Sequence, residues 1–154
     1  MTPYQYGKTA AKFKARPCEK ITSPNSHRLG TNFLRHTMAL TLKDSSACFI
    51  LSAQFYKDSK KTPIEDPTIE WNSKDAPWVD LARIDIPSQR FTSEAQMDFC
   101  ENLSFTPFSF SNDHRPLGGI NRARKAVYEG ISELRHQLNG ASTPLPTGDE
   151  SFLD

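Results

Sequence analysis

The sequence lacks any long hydrophobic run. Its longest apolar stretch, ACFIL at 47–51, is far too short to span a bilayer, so no membrane crossing is expected. Cysteine is scarce. Cys18, Cys48 and Cys100 are widely spaced and odd in number, which argues against a secreted disulfide framework, and no Cys/His spacing suggests zinc. The N-terminal stretch MTPYQYGKTAAKFKARP has no apolar signal-peptide segment. A cytoplasmic or otherwise intracellular, reducing setting is therefore the expectation. Nor does one sign of charge dominate: 19 Lys plus Arg stand against 18 Asp plus Glu, a net charge of +1. That balance gives no global reason to expect nucleic acid or an anionic membrane as partner. No Ser-His-Asp arrangement or carboxylate pair stands out.

What remains suits one domain with a modest core: 154 residues, 36% of them hydrophobic. Residues 9–16 partly alternate and read as a strand stopped by Pro17, followed by a loop rich in turn residues. TNFLRHTMALTLK (31–43) reads as a helix with Asn32 or Thr31 as N-cap, and CFILSAQFY (48–56) as a buried strand. Three prolines and many charges make 57–78 a long surface excursion, with a short strand around Thr68–Trp71. WVDLARIDIP (78–87) alternates and reads as a strand. SEAQMDFCENL (93–103) opens with a capping box, Ser93 lying three residues before Gln96. The aromatic stretch 105–119 is irregular.

The clearest element is a helix from about Ile120 to Leu138. Ile120, Ala123, Val127, Ile131, Leu134 and Leu138 form one apolar stripe, and Asn139-Gly140 supplies the stop. The polar tail from 141 to 154 has no periodicity and reads as disordered, so the domain is taken as 1–140.

At about 100° per residue, Arg124 lies roughly 40° and Arg135 roughly 20° from Tyr128 around that helix. All three share one face, beside the apolar stripe. Two permanent cations beside a phenol favour its ionised form. A phenolate is a hard anionic oxygen ligand, suited to ferric iron. On spacing alone, the commoner explanation of Tyr128 is a helix tyrosine packed at the core edge, its arginines pairing with Glu129 or Glu133.

The surrounding residues shift that balance. HRPLGGINRARKAVY (114–128) resembles the proximal-helix signature of the haem catalase family, in its small, divergent catalase-like members. DPTIEWNSKDAPWVDLARIDIPSQRFTSEAQMDFCENLSFTP resembles the stretch leading to that helix, and YGKTAAKFKARPC and CFILSAQFY are similar to the family's strand segments. The likeness covers most of residues 4–139. It implies Tyr128 as axial ligand of a haem iron, Arg124 as the residue stabilising its phenolate, and Arg135 as a residue close to a propionate. The chain departs at Phe108-Ser109, where relatives carry a Trp-His pair. The family's distal histidine and asparagine lie in an N-terminal half that precedes the matched segments, so no catalytic residue is assignable here.

Other features carry simpler explanations. Gly118-Gly119 before the helix could mark an anion site, though a tight turn explains it more simply. Arg115, Arg122, Arg124 and Lys125 cluster, yet interspersed glutamates and the neutral total argue against nucleic acid. His114 reads as structural, His136 as complementing the helix dipole, and His27 and His36 have no partner pattern. Cys100 reads as a core residue of its short helix.

By resemblance, the expected fold is α+β: the second half of a catalase-like antiparallel β-barrel with a C-terminal proximal helix. The expected function is haem binding in the peroxide- or hydroperoxide-metabolising class, with little activity from this chain alone. The alternative is a degenerate, non-enzymatic fragment that binds no haem. Half a barrel leaves strand edges and an apolar haem-facing surface uncovered, so a complementary N-terminal half or a homo-oligomer is the expected partner.

Overall fold

Alternating apolar residues become strands wherever neighbouring chain can satisfy their backbone groups. The computed structural model describes residues 1–19, 30–141 and 150. The strand read at 9–16 is β2, Thr9–Pro17, and it follows a short β1, Tyr4–Tyr6. Those read at 48–56 and 78–87 are β3, Ala47–Phe55, and β4, Trp78–Ile86. All pair antiparallel in the order β1-β2-β3-β4, so the expected strands are neighbours. β1 is too short for periodicity to reveal. Gly7, at φ 56°, makes the turn that returns it to β2.

Among the described residues three α-helices complete a mixed α+β fold: α1, Phe33–Asp44; α2, Glu94–Asn102; and α3, Gly119–Asn139. The capping box expected at Ser93 is present, with Ser93 Oγ accepting from Gln96 N–H and Gln96 Oε1 accepting from Ser93 N–H. Gly140 ends α3 in the left-handed conformation. Asn32 precedes α1 but makes no side-chain cap. Among the described residues no helix is long and apolar enough to cross a membrane.

The register sorts the sheet into unlike faces, because residues opposite one another share a face. On one face lie Lys12, Lys14 and Arg16 of β2, with Gln54 and Ser52 opposite the lysines. Residues 57–77 form turns over this face rather than the strand expected around Thr68–Trp71. Prolines at 63, 67 and 77 remove ladder donors there. Buried Gln54 instead ties the excursion down, donating to the carbonyls of Trp71 and Ala76, both at 2.8 Å. The Lys12 ammonium sits 4.5 Å from the Trp71 ring centroid. Burial pushes its pKa below the ordinary lysine value, against the pull of Glu70. Ser52 Oγ donates to Asp80 at 2.7 Å, and this bond, with Arg16, holds that carboxyl below its usual range.

The opposite face carries Ala11, Phe13, Ala53, Phe55, Leu51, Phe49, Val79 and Ile84, joined by Tyr4 and Tyr6. Its rings cluster: Tyr6 packs 5.4 Å from Phe55 and 6.1 Å from Phe13, with His114 at 5.7 Å. Ala11 and Ala53 are fully buried, whereas Val79 and Ile84 near the sheet edge are exposed.

The cysteine expectation is corrected. Cys18 and Cys48 form a disulfide where β2 ends and β3 begins, with Cα atoms 5.6 Å apart and Cys18 N–H donating to Cys48 O. Counting cysteines could not reveal that the β2–β3 ladder brings this pair together. Cys100, read as a core residue, is exposed on α2. Most of the tail expected to be disordered lies outside the described residues, as does His27.

Gly118 shows how the chain enters α3. Its φ is 85°, and a Cβ there would stand 2.6 Å from Ile64 O. The tight-turn explanation of the glycine pair therefore holds, with close backbone approach as its cause. Gly118→Ala combines a strained conformation, about 1–3 kcal/mol, with a backbone clash. The expected outcome is a lower urea-unfolding midpoint at unchanged m-value. A midpoint equal to wild type would refute the close approach.

Candidate functional site

The N-terminus of α3 is set against β1. Leu117 N–H donates to Pro3 O, Gln5 N–H to Arg115 O, and Tyr4 bridges to Pro116. Asn121, almost fully buried, then closes the junction through its Nδ2, which donates to Pro3 O and Leu117 O, both at 2.8 Å. With both amide hydrogens committed, its Oδ1 can only face the remaining donor, and it accepts from Arg124 Nη1 at 3.0 Å.

Arg124 is thereby oriented. Nη1 also lies within bonding distance of Tyr4 OH, 3.2 Å, and Thr2 Oγ1, 3.1 Å. Nη2 donates to the Tyr128 phenolic oxygen at 3.2 Å, and the guanidinium carbon stands 5.2 Å from that ring's centroid. The hydrogen bonds to Tyr128 and Tyr4 push the guanidinium above its ordinary pKa, so its charge is secure. No carboxylate competes for it among the described salt bridges. The structure thus brings Arg124 and Tyr128 together.

Arg135 is placed differently. Its Nη2 reaches the backbone carbonyl of Glu101 and lies 3.9 Å from the Glu101 carboxylate. It shares with Tyr128 a groove of about 250 Å³, walled by Leu103, Phe105, Val127 and Ile131. A second groove, about 610 Å³, runs past Phe105, Phe108, Tyr128, Glu129, Glu133 and His136. Tyr128 stands at the junction of both and is 38% exposed.

The seating of α3 departs from what its pattern suggests. An amphipathic helix ordinarily buries its apolar stripe. Here Val127 is 60% and Leu138 76% exposed, and Ile120, Ile131 and Leu134 are exposed as well. The helix seats instead on Asn121, Ser132 and His136, a polar line roughly 140° from the stripe at about 100° per residue. Ser132 Oγ pairs with Ser104 Oγ at 2.9 Å. Buried His136 has Nδ1 2.6 Å from Ser132 O and Nε2 2.7 Å from Asn102 O, joining the ends of α2 and α3. His136, expected from sequence to complement the helix dipole, is instead buried in this junction. The one available signal was its four-residue spacing from Ser132. Tyr128, Arg124 and Arg135 occupy the border between the seated line and the exposed stripe.

The remaining candidates are occupied. Glu65 accepts two hydrogen bonds from Arg122, at 2.8 and 3.1 Å, and a backbone bond from Gly119. Arg122 holds its carboxyl below the usual range. The negative charge that a helix N-terminus favours is thus supplied by this chain's own Glu65. Lys125 faces Glu129 at 3.8 Å, so two members of the basic cluster, Arg122 and Lys125, are paired with carboxylates. His114 Nδ1 bonds Ser111 Oγ at 2.8 Å in a short 3-10 turn, Asn112–His114. Among the described residues no group of three or more His, Cys, Asp or Glu could hold a metal ion. No family model and no curated protein matches the chain.

Proposed function

We propose that this chain binds haem through Tyr128 and belongs to the peroxide-metabolising, catalase-like class, as the second half of a catalase-like barrel. The observation that carries the reading is the contact between Arg124 and the Tyr128 oxygen, made by a guanidinium oriented through Asn121, Tyr4 and Thr2. A haem would need only one donor atom from the protein, which the Tyr128 phenol could provide. The donor is accessible, and it adjoins Val127 and Ile131, exposed aliphatic surface against which a flat apolar ring could lie.

A ferric haem, when bound, supplies the redox chemistry of peroxide breakdown. The chain's residues have narrower tasks. Tyr128 would offer its phenolic oxygen to the metal, and Arg124, 3.2 Å from that oxygen, would stabilise negative charge on it. Arg135 would turn from Glu101 towards a propionate. Turning it away would break both its partly exposed ion pair with the Glu101 carboxylate and its hydrogen bond to the Glu101 carbonyl. Peroxide cleavage also requires acid–base help on the haem's opposite face. The resemblance assigns none of these residues to that role, so binding rather than turnover is the expected property.

Hemin titration of wild type and Tyr128→Phe tests the proposal. Wild type should give a ferric Soret band with tyrosinate charge-transfer features, absent from the variant. Arg124→Gln should retain haem but weaken those features, because it removes the charge while leaving the phenol. Identical spectra from wild type and Tyr128→Phe would sink the ligand assignment. No band in either protein would favour the second reading, a haem-free fragment that lives by association. The exposed stripe on α3 and the uncovered edge of the apolar sheet face support that alternative. An intracellular setting is no part of either reading, since the Cys18–Cys48 bond removes the cysteine argument for it.

A further inference from the structure

The two edges of the sheet are treated differently by the chain. β1 is covered: Gln5 N–H and Gly7 N–H donate to the carbonyls of Arg115 and Asp113, and Tyr4 bridges to Pro116. β4 pairs with β3 on one side, and among the described residues no strand pairs with its other side. A strand edge of this length is a template for another strand unless something blocks it. Partial blocks are present. The β3–β4 register shifts so that Leu81 is an extra residue, and Pro87 follows the strand with no N–H to give. The uninterrupted part is Ala82–Ile86.

We propose that this segment of β4 pairs antiparallel with the same segment of a second copy of the chain, centred on Ile84. Charge selects the register. A two-fold pairing centred on Arg83 sets arginine against arginine, and one centred on Asp85 sets aspartate against aspartate. Centring on Ile84 places Arg83 opposite the second copy's Asp85, and Asp85 opposite its Arg83, giving two attractive cross-strand pairs. Within one chain these side chains already pair, Arg83 Nε to Asp85 Oδ1 at 2.6 Å, and both are largely exposed. Their exchange for intermolecular partners therefore needs no buried charge to move.

The same register aligns the apolar side chains. Ala82, Ile84 and Ile86 lie on the face of Leu51, Phe49 and Ala47, their partners in β3. Ala82 then meets Ile86 of the second copy and Ile84 meets its counterpart. The apolar face of one sheet continues into the other, covering the exposed Ile84. The occupant is a second copy because the segment complements itself in both charge and apolar pattern.

Charge reversal tests it by sedimentation velocity across a wide concentration range, with circular dichroism confirming that each variant folds. Wild type should show a concentration-dependent dimer. Arg83→Glu makes the segment wholly acidic and Asp85→Arg makes it wholly basic, so each alone should dimerise at least about tenfold more weakly. Mixed together, the two variants should form a heterodimer, since every acidic position then faces a basic one. A wild type that stays monomeric at all concentrations overturns the proposal. So does an Arg83→Glu variant that dimerises as tightly as wild type, or a mixture that forms no heterodimer.

Discussion

Trp71→Ala should lower the stability of the folded chain by about 3–5 kcal/mol, the range for truncating a large buried aromatic. Trp71 is 3% exposed and is the largest side chain of the buried apolar set. Its indole Nε1–H donates to Pro63 O at 3.0 Å, its own carbonyl accepts from Gln54, and Tyr56 packs edge-on at 6.4 Å. Truncation would leave a cavity between the excursion 57–77 and the sheet. It would also leave Pro63 O without its donor and the Lys12 ammonium without the ring beneath it. Trp71→Phe should cost less, since much of the volume stays while the indole donor is lost. Urea denaturation followed by far-ultraviolet circular dichroism measures both. A loss below about 1 kcal/mol for the alanine variant, within the range of surface substitutions, would mean that the excursion contributes little to the core.

Breaking the Cys18–Cys48 bond is expected to cost about 3–4 kcal/mol, by constraint of the unfolded chain. The cysteines are 30 residues apart. The bond therefore closes a loop that contains α1, a helix whose packing is slight: Leu42 is its buried residue, while Leu34, Met38 and Leu40 are exposed. Its C-terminal end is tied by Gln89 N–H to Leu42 O at 2.7 Å and by Ser88 Oγ to Lys43 O at 2.9 Å. With so little apolar burial to hold this segment, the covalent link carries much of the constraint. Cys18→Ser/Cys48→Ser should unfold at lower urea concentration than oxidised wild type, and reduced wild type should match the variant. If oxidised wild type and the double variant share one midpoint, the bond does not contribute to equilibrium stability.

The elements that local pattern could reveal were legible. Ser93 and Gln96 sit three apart because both belong to a capping box, a feature complete within four residues. Gly140 stops α3 because glycine adopts the left-handed conformation at low cost. Alternation in β2, β3 and β4 follows from two unlike faces. The Arg124–Tyr128 contact was also legible, since a four-residue spacing on a helix sets side chains side by side. Arg135 was not, because its partner Glu101 belongs to another helix.

Composition and local spacing by themselves determined that this chain forms strands near 9–16, 48–56 and 78–87 and a long amphipathic helix, with Tyr128 next to Arg124 on that helix. Those properties depend on residues a few positions apart, whose geometry the backbone period dictates. Tertiary structure alone decided that α3 seats on Asn121, Ser132 and His136 and leaves its apolar stripe outside. It also decided that Cys18 meets Cys48 and that Trp71 covers the sheet. Each of these depends on distant segments meeting. A buried polar side chain is stable only when those segments supply its hydrogen-bond partners, as Pro3 does for Asn121 and Asn102 for His136.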